Sequence, residues 1–171
     1  NVEYTLHWCS NMSFGEATMK TDTLNALSFQ EKIAWGMLVG HGVIGALYFS
    51  SAWNLWRADQ LSAPIMIKLA FGYMLVLIIA AIVYHAVVAA IDRPPGDDER
   101  DRLIAWRAGA VGGMVLAFGV FAIVGHLMLN ALYGGVAMIS PIFVANTLLL
   151  VVLLATLVEL AAKLRFYRRG V

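Results

Sequence analysis

Four long apolar runs, separated by short polar stretches, dominate the pattern along the chain: Ile33 to Trp53, Ile65 to Ile91, Ala108 to Leu132 and Ile142 to Ala162. A helix needs about 20 apolar residues to cross the ~30 Å hydrocarbon layer, and each run reaches that length. Lipid supplies no hydrogen bonds, so the backbone must satisfy itself; four segments cannot close a barrel, which leaves helices. The pattern therefore predicts an all-α fold, an integral membrane four-helix bundle with antiparallel neighbours. It forms one transmembrane domain over residues 31–171, preceded by a polar tail over residues 1–30.

The connections differ in character. Trp53 to Trp56 is rich in aromatic residues and suits the headgroup interface, and Pro64 just beyond suits the first turn of the second helix. Residues 92–107 read as the one substantial polar loop, in which Pro94 and Pro95 break the helix and a string of charges calls for water. Tyr133 to Pro141 carries no charge and holds Gly134-Gly135, which predicts a tight hairpin between helices three and four.

Before the first run, Asn1 to Thr18 is polar and without period, and Met19-Lys20 has the look of a translational start. These residues are expected to be an upstream extension or a loosely held tail, with no function assigned. Leu24 to Lys32 predicts a short interfacial helix, with Ser28 as N-cap and Glu31 three residues on completing a capping box. The first apolar run lacks the short core and small-residue cleavage site of a removable signal and is expected to be retained. Ile33-Ala34-Trp35 after Glu31-Lys32 echoes Ile104-Ala105-Trp106 after Asp101-Arg102, a hint of a duplicated helical hairpin.

Composition agrees with the pattern. The chain is 61% hydrophobic and 13% charged, against roughly 25% charged in an ordinary soluble domain, so the expected solvent is a lipid bilayer. A formal net charge of +1 offers no basic face for nucleic acid. The single cysteine, Cys9, excludes an internal disulfide and a multi-thiolate metal site.

Charge placement predicts orientation. Lys20, Lys32, Arg93, Arg100, Arg102, Arg107, Lys163, Arg165, Arg168 and Arg169 fall on one side, leaving Arg57 and Lys68 on the other. The basic side is the one retained in the cytoplasm. Both termini and the 92–107 loop are therefore expected to be cytoplasmic, in a bacterial inner membrane.

Gly36, Gly40, Gly42 and Gly45 in the first helix, and Gly109, Gly112, Gly113, Gly119 and Gly125 in the third, carry small-xxx-small spacing at Gly36/Gly40 and Gly109/Gly113. Such spacing lets backbones approach, and it predicts helices one and three as the tight packers.

Ionisable groups inside a membrane are costly, which makes His41, His85, His126 and Glu159 functional candidates. Helical rise places His41 and His85 at one level near the cytoplasmic face, with Glu159 close by and Asp92 two turns beyond His85. The expected inner cluster is His41, Tyr84, His85, Asp92 and Glu159. The expected outer set is Tyr48, Ser50, Tyr73, His126, Asn130 and Asn146, which reads as hydrogen-bonding glue between helices. Glu159 also has Lys163 four residues on, the favourable order for a helix-surface pair.

Two imidazoles at matching depth on antiparallel neighbours can approach one iron from opposite sides as axial ligands of a b-type haem, while imidazoles facing a bundle interior can simply hydrogen-bond to a carbonyl, to Glu159 or to Tyr84. No nucleophile elbow, metalloprotease helix or phosphate loop occurs in the sequence. Asp97, Asp98, Glu99 and Asp101 are interleaved with Arg100 and Arg102, which argues against a divalent-cation cage, and no metal is assigned.

Asp98-Glu99-Arg100-Asp101-Arg102-Leu103-Ile104, just before a membrane helix in a four-helix chain, resembles the Asp-Glu-Arg-Asp signature of small uncharacterised prokaryotic membrane proteins of the DUF2178 group. The resemblance covers seven residues and the general topology. It implies a four-span membrane protein without an established activity; the polar N-terminal tail departs from that group. Three functions remain open: a noncatalytic subunit or regulatory component, with a homo-oligomer or a membrane-protein partner; a haem-binding electron-transfer protein using His41 and His85; and a small proton-linked transporter using Glu159.

Overall fold

The computed structural model describes residues 28–92, 98–133 and 140–169, which form four helices: α1 (Phe29–Arg57), α2 (Ala63–Ile91), α3 (Glu99–Leu132) and α4 (Pro141–Arg169). The fold is all-helical, and each helix is long and apolar enough to cross a membrane. At about 1.5 Å per residue, 29 residues span roughly 44 Å and outrun the hydrocarbon layer. The excess accounts for most differences from the expected ends.

α1 starts at its cap. Ser28 is extended, and its hydroxyl accepts the Glu31 backbone N–H at 3.2 Å. From Ser28 onward the predicted interfacial helix is the first turn of α1 itself; its residues 24–27 lie outside the described segments. At the other end Asp59, with φ of 55°, closes α1 in the left-handed conformation: Asp59 N–H donates to Trp56 O and Gln60 N–H to Leu55 O. Asp is one of the few non-glycine residues that adopts this region readily. Pro64 sits in the first turn of α2, where its missing N–H leaves no bond unmade.

The 92–107 loop is shorter than its charges suggested. α3 begins at Glu99, with Asp98 as N-cap accepting from the Arg100 N–H at 3.4 Å. Glu99 and Asp101 in the first turn complement the positive end of the helix dipole. Charges require water, and a helix that extends beyond the lipid provides it without ending.

α4 packs most extensively on α3, and also on α1, which in turn carries α2. The result is an open bundle in the order α2, α1, α4, α3. Side-chain contacts join the start of α1 to the ends of α2 and α4, and the start of α3 to the end of α4. Buried residues gather toward the two ends, with Ala34, Ile104, Ala108 and Leu164 at the basic end and Tyr48, Ala52 and Met66 toward the other. Only 6–17% of the most apolar stretch of each helix is buried within the chain.

The glycines correct the expected pairing of helices one and three. A Cβ on Gly36 would fall within the Tyr84 ring of α2, and one on Gly45 against Leu153 of α4. Gly112 and Gly119 of α3 likewise receive α4, through Ala155 with Glu159 and through Val151. Small-residue spacing marks a face that tolerates close approach; a large side chain opposite it selects the partner. A Cβ on Gly40, Gly109 or Gly113 would meet no neighbouring helix within 4 Å.

Gly112 and Gly113, adjacent in sequence, should therefore respond oppositely to alanine. A Cβ at Gly112 would sit 2.8 Å from Glu159 Cβ and 3.1 Å from the Ala155 carbonyl oxygen, so Gly112→Ala should destabilise by about 1–3 kcal/mol. Gly113→Ala should be neutral, or stabilising by up to about 1 kcal/mol. Denaturant titration in mixed micelles, read by circular dichroism, checks the pair.

Candidate functional site

The polar residues within the spans and at their ends sort into one interhelical network, a set of ties at the basic end and several side chains closed on their own helix. The network lies toward the aromatic end. Tyr48 of α1, 6% exposed, donates through its hydroxyl to Asn146 Oδ1 of α4 at 3.0 Å. The Asn146 amide donates to Ile142 O at 3.0 Å and to Met66 Sδ of α2 at 3.3 Å. Beside it Ser51 and Tyr73 share a hydrogen bond at 3.1 Å, and the rings of Tyr48 and Tyr73 meet edge to face at 5.7 Å. Three helices are thus joined without a charge.

Of the expected outer set, the structure brings together Tyr48, Tyr73 and Asn146. Ser50 returns its hydroxyl to Leu47 O. Asn130 donates to His126 Nε2 at 3.2 Å and to His126 O at 2.9 Å, both on exposed α3. Met66 and Ser51 were not anticipated as members. Thioether sulfur is a weak acceptor and reads as apolar, so spacing alone gave no reason to select Met66.

The expected inner cluster divides. Asp92 bridges to Lys32 at 2.5 Å, with the two side chains about one-third exposed, and the Tyr84 hydroxyl donates to Lys32 O at 2.7 Å. This tie clamps the start of α1 to the end of α2, although a partly exposed ion pair contributes only about 0–1 kcal/mol. Glu159 lies on the seam with α3, its Cβ and carboxylate against Gly112. Lys32–Asp92 is the only salt bridge among the described residues, so Glu159 and Lys163 do not pair.

His41 and His85 each bring Nδ1 to the carbonyl four residues earlier, Met37 O and Ala81 O, at 2.8 Å. A carbonyl only accepts, so each Nδ1 carries the proton. His85 is exposed on α2, and it is absent from the lining of both clefts that His41 borders. No hydrogen bond joins the two rings.

The acidic motif is put to local use. Asp98 caps α3, Glu99 and Asp101 sit in its first turn, and Asp101 accepts from the Tyr167 hydroxyl of α4 at 3.0 Å. Arg100 supplies the N–H that Asp98 accepts. Nearby, the Arg168 guanidinium lies 5.3 Å from the Trp35 ring centre, a further cross-helix contact at the basic end. Among the described residues no three His, Cys, Asp or Glu side chains are placed to hold a metal ion.

The larger of the two clefts beside His41, about 460 Å³, lies among α1, α2 and α4. It exists because α2 and α4 both pack on α1 while leaving a gap between them. Its walls are mainly apolar and aromatic.

No family model, curated protein or solved structure matches the chain.

Replacing Asn146 with leucine removes the acceptor of buried Tyr48 together with two donors. Asn146→Leu should cost about 1–2 kcal/mol, and Tyr48→Phe about 0.5–1.5 kcal/mol. The double variant should cost less than the sum, because each single change already breaks the same bond. Thermal unfolding of the four proteins in one detergent measures that coupling.

Proposed function

We propose that the chain is a noncatalytic, multi-pass subunit or regulatory component of a membrane assembly. In this reading its helices are antiparallel neighbours in a bacterial inner membrane, with both termini cytoplasmic. The observation that carries it is the open packing: α2 and α3 flank the row, and the apolar stretches of the four helices leave more than four-fifths of their residues unburied within the chain. Lipid can cover such faces, but the unfilled small-residue face at Gly109 and Gly113 is the kind on which another helix seats closely. The polar side chains support the same reading, since those within the spans serve packing or close on their own helix.

The orientation rests on Lys32, Arg100, Arg102, Arg107, Lys163, Arg165, Arg168 and Arg169, which share one end against Arg57 and Lys68 at the other. Ties at the basic end fix these helix ends beside one another.

Site-specific crosslinking from Gly109 or Gly113 positions in native membranes tests the subunit reading. One discrete higher-mass species, lost when Gly113→Leu is combined with the crosslinker at Gly109, is the expected result; only monomer and lipid adducts would overturn it. Cysteine labelling of intact cells, on a Cys9→Ser background, should leave a cysteine at Arg165 protected and one at Asp59 modified.

A further inference from the structure

The 460 Å³ cleft among α1, α2 and α4 falls within the usual range of small-ligand sites, about 300–1,000 Å³. Its polar lining atoms are nearly all committed. Tyr48 donates to Asn146, Tyr73 is bonded to Ser51, and Thr156 returns its hydroxyl to Val152 O. His41 differs. Its Nδ1–H is fixed on Met37 O, which in that tautomer leaves Nε2 as the lone-pair acceptor, and among the described residues no hydrogen bond reaches that atom.

His41 lies near the midpoint of α1. At that depth an ionised headgroup is costly, so a neutral molecule that carries a hydrogen-bond donor fits the cleft. Phe49, Phe71, Tyr48 and Tyr73 line the same cleft and favour a flat ring, which aromatic side chains engage by stacking or edge contact. Leu77 and Leu153 continue the apolar wall.

We propose that this cleft binds a lipophilic quinol, with one ring hydroxyl donating to His41 Nε2 and the apolar tail leaving laterally toward lipid. The site binds the reduced form because the oxidised quinone has no hydroxyl to donate. It requires the membrane placement of α1, α2 and α4 and is independent of whether the chain is a subunit of an assembly.

The test is equilibrium binding of a radiolabelled decyl benzoquinol, kept reduced, to the full chain in nanodiscs. Saturable binding at one site per chain is expected. The di-O-methyl ether, which keeps the ring and loses the donor, should compete about tenfold less well, as should a long-chain alcohol, which keeps the donor and lacks the ring. His41→Leu should weaken binding by about tenfold, and His41→Gln, whose amide oxygen also accepts, should restore most of it. Ala70→Trp, filling the cleft without removing the histidine, should abolish binding and provides the decisive variant if His41→Leu does not fold. Absence of saturable binding, equal competition by the ether or the alcohol, or full binding to Ala70→Trp would each overturn the proposal.

Discussion

Hydrocarbon offers a polar group no hydrogen-bond partner, and this constraint shapes the chain at every level. It makes each span a helix, and it then acts on the side chains. Asn146, Thr147, Thr156, His41 and His85 all reach the carbonyl four residues earlier on their own helix. These bonds satisfy a polar side chain without requiring a neighbour. Among the described residues no buried side-chain nitrogen or oxygen lacks a partner. His85 on α2 and, in the same way, Asn130 on α3, which donates to His126 O, are satisfied without a neighbour on the two helices that stand at the edges of the row.

The same solvent removes the hydrophobic drive between helices, so contact must come from close fit and from the few polar groups that do cross. Both devices converge on α1 and α4. Gly45 of α1 admits Leu153 of α4, Gly112 and Gly119 of α3 admit α4, and Tyr48 reaches across to Asn146. α2 is held differently, by Tyr84 over Gly36, Met66 beneath Asn146 and the Lys32–Asp92 pair. A helix fastened near its two ends and separated from α4 along its middle leaves a cleft there, which is where His41 lies.

What could be read from the sequence follows from which interactions are local. The number of spans, their helical character and the Ser28 cap depend on residues near one another in the chain, and the pattern shows them directly. Depth brought Tyr48, Tyr73 and Asn146 into one set, since helical rise is fixed. Rotation about each helix axis was not legible: His85 and Tyr84 share a depth, yet Tyr84 packs on α1 while His85 is exposed. The partner of a glycine face was hidden for a related reason, because it depends on a bulky residue in another helix. Asp101 belonged to a motif that looked like loop, and its contact with Tyr167 appears only once α3 is seen to begin at Glu99.

The two ends of the bundle differ in how their contacts would respond to surroundings. At the basic end the ties involve Lys32 with Asp92, Asp101 with Tyr167 and Arg168 with Trp35. Charged pairs that meet water are screened by salt, with a Debye length of about 8 Å at physiological ionic strength. At the aromatic end Tyr48, Asn146, Met66, Ser51 and Tyr73 are all neutral, and their network is insensitive to such screening. Screening the Lys32–Asp92 pair would still leave α2 held at that end by Tyr84, whose ring covers Gly36 and whose hydroxyl donates to Lys32 O, neither of which carries a charge. His41 sits between the two sets of contacts, and because uncharged contacts hold α2 at both ends, the walls of the cleft do not depend on that ion pair.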